Sequence, residues 1–179
     1  LSRLTSAQST LTLNDTSVTK FERNKLINRV YGNSIKNTFE VKDLDFNENK
    51  ENAKFVASHT GYEKSFGCTH KREISIDKIK GKLTGSDTIF KKKNGKPVSY
   101  SLRFHLYPGL DAVKTMSGNS VLIQISKNKS LIFTIVDENI ILEKSIFLGK
   151  NKILNNLCIN ITDEVIGNKL IKWELKKSN

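Results

Sequence analysis

Short extended runs, rich in β-branched and aromatic residues and broken by Gly, Asn, Asp and Lys, recur along the whole chain. They are Ser9 to Leu13, Lys25 to Tyr31, Thr38 to Phe46, Ala53 to His59, His70 to Ile76, Lys82 to Phe90, Ser99 to Tyr107, Val121 to Ser126, Leu131 to Val136, Ile140 to Leu148, Asn156 to Ile161 and Leu170 to Leu175. No segment holds an i, i+3, i+4, i+7 apolar pattern long enough to predict a helix. Many short strands at this spacing predict an all-β fold, an antiparallel two-sheet β-sandwich of about twelve strands. At 179 residues the chain is read as a single domain, residues 1–179.

Several strands carry an inside and an outside. Side chains alternate across a strand, so Tyr100, Leu102, Phe104 and Leu106 share one face while Arg103 and His105 share the other. Leu11 and Leu13 point inward with Gln8, Thr10 and Thr12 opposite, and Ile171, Trp173 and Leu175 form another inward stripe. His70 and Arg72 fall on the same side as Ile74 and Ile76, at the end of a buried stripe. Such a pair needs partners there, and Glu73 is on the wrong face. Leu131 to Val136 is apolar on both faces, which predicts a central strand covered on two sides.

The charge of +12 raises nucleic acid as a partner. The excess is mostly lysine, spread through turns beside asparagines, with arginine limited to Arg3, Arg23, Arg29, Arg72 and Arg103. That distribution reads as a solvated surface and predicts no specific nucleic-acid partner, while a polyanion such as an acidic polysaccharide is still attracted. The run Lys91 to Lys96 centres on Asn94-Gly95 and predicts a hairpin tip. Nothing approaches the apolar length of a membrane span. The first residue is Leu rather than Met, and the chain is read as the downstream part of a longer product.

Chemistry-bearing motifs are few. There is no phosphate-binding glycine loop, no Gly-x-Ser-x-Gly elbow, no His-Glu-x-x-His and no paired CxxC. Cys68 and Cys158 read as small buried hydrophobes, with a disulfide between them left open. The three histidines, His59, His70 and His105, stand near Tyr62, Arg72 and Arg103 and make up the polar groups set into regular strand patterns. Each has a bland alternative: a satisfied structural histidine, a tyrosine capping a sheet edge, an arginine anchoring a loop carbonyl.

The blocks Ser2 to Leu13, Ser58-His59-Thr60-Gly61-Tyr62, Phe66 to Arg72, Leu102 to Gly109 and Ile171-Lys172-Trp173 together resemble, in order, the C-terminal β-sandwich of the heparinase II/III-like polysaccharide lyases. The resemblance implies an upstream helical toroid in the same polypeptide, an acidic polysaccharide bound between toroid and sandwich, β-elimination as the reaction, and a periplasmic or cell-envelope setting. It implies that most catalytic groups lie in the toroid, so no catalytic residue is assigned here. The family places a histidine of its first sandwich strand at the position of Gln8, which can bind sugar but cannot titrate near neutral pH. Gln8, Arg103, His105, Tyr62 and Arg72 are therefore the expected substrate-binding residues. No cofactor is required; because some relatives hold a metal on histidine and aspartate, a structural zinc on His59 and His70 is the one cofactor the resemblance raises. The alternative reading is a non-catalytic glycan-binding or scaffold module.

Overall fold

A computed structural model describes residues 4–22, 24–32, 35–92, 95–149 and 152–178. Lys93 and Asn94 at the expected hairpin tip, and Ser2 and Arg3 at the head of the first block, lie outside them. The chain opens on a single 3₁₀ turn, Thr5–Ala7, and continues through β1 (Leu11–Leu13), α1 (Lys25–Tyr31), β2 (Val41–Glu48), β3 (Asn52–Tyr62), α2 (Glu63–Phe66), β4 (Cys68–Asp77) and β5 (Lys82–Lys91). Next come β6 (Val98–His105), β7 (Asp111–Lys114), β8 (Ser120–Ser126), β9 (Lys129–Ile135), β10 (Ile141–Gly149), β11 (Lys152–Val165) and β12 (Lys169–Lys177).

These strands form two antiparallel sheets, one of four strands in the order β1-β6-β11-β10 and one of eight in the order β2-β3-β4-β5-β12-β9-β8-β7. The fold is the expected β-sandwich. Its core fills from both inner faces: Leu11, Leu13, Tyr100, Leu102, Ile159 and Ile161 from the small sheet meet Ile89, Val121, Phe133, Ile135, Ile171 and Trp173 from the large one. The inward stripes of β1, β6 and β12 are those that period two assigns.

Trp173 is the centre of this contact. Its ring meets Phe104 of the small sheet edge-on at 5.0 Å and stacks over Phe133 at 6.1 Å. It lies directly over Gly85, its cross-strand partner on β5, where a Cβ would fall inside the indole. Gly85→Ala must displace the ring, and overpacking of this kind costs about 1–3 kcal/mol. A thermal melt should register that loss together with a changed tryptophan emission, and an unaltered melt would show that the ring moves freely.

Two expectations are corrected. Lys25–Tyr31 is a helix, not a strand: Asn24 caps it, its Oδ1 accepting the backbone N–H groups of Leu26 at 2.9 Å and Ile27 at 3.4 Å, and Gly32 ends it at φ 72°. No α1 residue is buried, so the helix leaves no core-facing period in the sequence. β9 is central in its sheet, as its apolar run predicts, but only Phe133 and Ile135 on its inner face are buried; Ile132 and Thr134 are half-buried and Val136 is exposed. Apolar residues on both faces do not imply a second covering layer.

Candidate functional site

The N-terminal segment from Thr5 to Thr10 crosses the end of the sandwich and is tied to both sheets. From the large sheet, Arg72 donates Nη1 to the carbonyl of Ser9 at 2.5 Å. From the small sheet, His105 donates its backbone N–H to Ser9 Oγ at 3.0 Å, and its Nε2 meets the carbonyl of Ser6 at 3.0 Å. Thr5 closes the other side, its N–H donating to Ser17 Oγ at 2.8 Å and its Oγ1 accepting from Val18 N at 2.9 Å. Gln8, exposed, sits in the middle of this strap. Arg72 and His105 thus hold the backbone on either side of Gln8.

Arg72 is itself held. Asp87 on β5, paired across the ladder with Arg72, is fully buried. Its Oδ1 accepts Arg72 Nε at 2.7 Å and His70 Nε2 at 2.7 Å, and its Oδ2 accepts the indole N–H of Trp173 at 2.9 Å. Burial pushes the Asp87 carboxyl up, but the His70 hydrogen bond and the Arg72 charge outweigh it, leaving the group below the usual carboxylate range. The Arg72 guanidinium also lies 5.7 Å from the centre of the Phe104 ring. The partner that the His70–Arg72 pair needs is Asp87. Its signal in the sequence is a lone aspartate in phase with Gly85 and Ile89 on an inward stripe.

The chain of contacts runs on from His70 to the sheet edge. His70 Nδ1 meets His59 Nε2 at 3.2 Å, and His59 Nδ1 accepts the backbone N–H of Gly61 at 3.2 Å. Since Gly61 only donates and Asp87 only accepts, the network assigns one direction: Gly61 to His59, His59 Nε2–H to His70, His70 Nε2–H to Asp87. Burial first, then the neighbouring His70 and Arg72, push His59 down to about 4, in accord with an acceptor at Nδ1. Every ring nitrogen of the pair then either carries a proton or receives one, and none is left to ligate a metal. Among the described residues no group of three or more His, Cys, Asp or Glu side chains is arranged to hold a metal ion. The zinc reading of His59 and His70 does not fit these contacts.

The remaining predicted residues fall apart from one another. Arg103 lies on the outer face of the small sheet, donating Nη1 to Thr12 Oγ1 at 2.8 Å and Nη2 to Asp15 at 3.3 Å. Tyr62 is 1% exposed, and its hydroxyl lies 3.2 Å from the carbonyl of Leu11 and 3.1 Å from that of Thr16. It is a tether between β3 and the strap's continuation, in the core rather than on an accessible surface; burial pushes its hydroxyl up. His105 completes its ring contacts with Ser145 Oγ at 3.2 Å. Cys68 and Cys158 are buried free thiols, and burial pushes Cys158 up to about 11. Beside the strap opens a hollow of about 610 Å³ whose border includes Leu4, Ser6, Asp15, Lys20, Phe21 and Lys36, with Lys36 paired to Glu22 at 3.1 Å.

The family described as heparinase II/III-like, C-terminal, matches residues 1–174. The chain belongs to that family. Among solved structures, the sandwich superposes on the heparan sulfate lyase HepC from Pedobacter heparinus with a TM-score of 0.72 at 12% identity, covering 96% of this chain and 24% of that one. It superposes on a heparinase III, the BT4657 gene product, with a TM-score of 0.69 at 12% identity, covering 98% and 24%, and on a further heparinase III with 0.62 at 14%, covering 94% and 23%. At these identities the likeness is one of fold. This heparinase II/III-like domain spans about a quarter of the length of the solved structures it matches. A search of the curated proteins gave no match. No helix among the described residues is long and apolar enough to cross a membrane.

Proposed function

We propose that this domain is the C-terminal sandwich of a polysaccharide lyase that cleaves uronate-containing, glycosaminoglycan- or alginate-like glycans by β-elimination, and that its Gln8 strap lines the substrate cleft. The family match over residues 1–174 carries the reading. In this reaction a base removes the proton beside the uronate carboxylate, the carboxylate charge is neutralised, and the glycosidic oxygen leaves with a proton. The amide of Gln8 hydrogen-bonds to sugar hydroxyls or carboxylate in either direction but moves no proton. Base and acid therefore come from the upstream helical toroid of the same polypeptide. Arg72 and His105 hold the strap that carries Gln8, and Arg103 fixes Thr12 and Asp15 beside it. The family match is the support for a periplasmic or cell-envelope setting.

Gln8 also favours a second reading, a non-catalytic glycan-binding module, because the family's histidine is replaced by a group that cannot titrate. The two separate on one assay. The complete protein, incubated with acidic glycans, should raise ultraviolet absorbance as unsaturated uronate ends accumulate; glycan binding with no such rise on any of them supports the module instead. If Gln8 positions substrate, Gln8→Ala raises KM about three- to tenfold, with kcat reduced no more than KM is raised. An unchanged KM removes Gln8 from the cleft.

A further inference from the structure

β10 and β11 run past the sheet that carries them. β11 pairs with β6 only from Cys158, opposite His105, to Val165, whereas β10 and β11 stay paired out to Gly149 opposite Lys152. The last hydrogen bonds to the body among the described residues are Leu106 N–H to the carbonyl of Leu157 at 2.9 Å and Asn156 Nδ2 to the carbonyl of Leu106 at 2.8 Å. Beyond them projects a two-stranded arm roughly 13 Å long, a form with little stability of its own in water.

The arm is apolar where an edge is usually charged. Leu148 and Ile153 are cross-strand partners and share a face with Ile146; Phe147 and Leu154 are partners on the other face. Ile146 is 45% exposed, Ile153 70% and Leu154 43%, and Tyr107, 70% exposed, leans on Phe147 with ring centres 5.7 Å apart. Lys144 and Lys152 flank this apolar part, and no acidic residue lies among the described residues 144–155.

The root of the arm lies against the start of the described chain. The ring of His105 meets Ser145 Oγ of β10 through Nδ1 at 3.2 Å and the carbonyl of Ser6 through Nε2 at 3.0 Å. We propose that the arm docks into an apolar groove with an acidic rim on the upstream part of the same polypeptide, the part that leads into residue 4. The proposal rests on the reading of this chain as the C-terminal domain of a longer lyase, which its match to a family's C-terminal domain and its 24% coverage of the solved structures support. A tethered neighbour emerging at the root of the arm faces it at a high effective concentration, which favours it over a second copy.

The test uses the complete protein and the double variant Ile153→Asp, Leu154→Asp, with Ile153→Val as the conservative control. Both altered side chains are exposed in this domain, so its fold is retained, and near-ultraviolet circular dichroism checks that. Under limited proteolysis the arm is expected to be protected in the parent and the control and cleaved at least about tenfold faster in the double variant. Equal cleavage in all three proteins overturns the proposal. So does a dimer that the double variant dissociates, because the occupant is then a second copy. Sequencing the complete protein separates the two claims: a chain with no domain before residue 4 overturns the lyase reading along with the docking, whereas an upstream domain with an unprotected arm overturns the docking alone.

Discussion

Asp87→Ala is expected to lower the stability of the domain by about 3–5 kcal/mol, the cost of removing one partner from a buried charge network. For a chain of this length that is a fall in Tm of roughly 6–20 °C. The substitution strands three donors at once, His70 Nε2, Arg72 Nε and Trp173 Nε1, in a region where Asp87 is fully buried. Arg72 already has one buried nitrogen, Nη2, without a protein partner. Losing its carboxylate frees the guanidinium to leave the Ser9 carbonyl, so the strap around Gln8 loosens as well. Urea unfolding of parent and variant measures the first effect, and amide exchange at residues 5–10 the second. A loss under about 1 kcal/mol would mean that water or a rearranged neighbour replaces the carboxylate.

Acid destabilises the domain from about pH 6.5 downward, through His59. His59 stands at 6.5 in the unfolded chain and at about 4 in the folded one. As pH falls from 6.5 to 4 the unfolded chain therefore gains a proton at His59 that the folded chain does not. Stability declines across that interval and levels off below it, by about 3 kcal/mol in all. Asp87 has the opposite timing. Its folded value lies below the ordinary 3.8, so its contribution is present above that unfolded value and is lost as pH falls through it toward the lower folded value. His59→Gln should flatten the decline between pH 6.5 and 4 while leaving the Asp87 limb in place. A slope in that interval that survives the substitution would assign it to another group.

Much of the sandwich was legible in the chain because period two is a local property. Alternation alone separates Leu102 and Phe104 from Arg103 and His105, and sets Trp173 inward, since successive residues of a strand must face opposite ways. The buried His70–Arg72 phase was legible for the same reason. Alternation fails where the element is not a strand, as at Lys25–Tyr31, where seven residues and an Asn24 cap make a helix with no buried face. It holds at β9, where Phe133 and Ile135 are buried; what fails there is the reading of an apolar run as covered on two sides, since Ile132 is only half-buried and Val136, just past the strand, is exposed.

The candidate site shows a sharper division. Residue types and their phases established from the chain that His70 and Arg72 needed buried partners, and that a glutamine at position 8 moves no proton; that Gln8 meets a sugar is what the family resemblance implies. Register between strands decided the rest. Asp87 becomes the partner because β4 pairs with β5 opposite Arg72, and His59 reaches His70 because β3 pairs with β4 at those two residues. Register depends on free energy summed over whole strands and turns, which no short window contains. The folding of the strap across the end of the sandwich likewise joins Ser6 and Ser9 to His105 and Arg72, distant in sequence, so that these two side chains hold the backbone on either side of Gln8. Local pattern settles which way a side chain points; only the packed sheets settle what it meets.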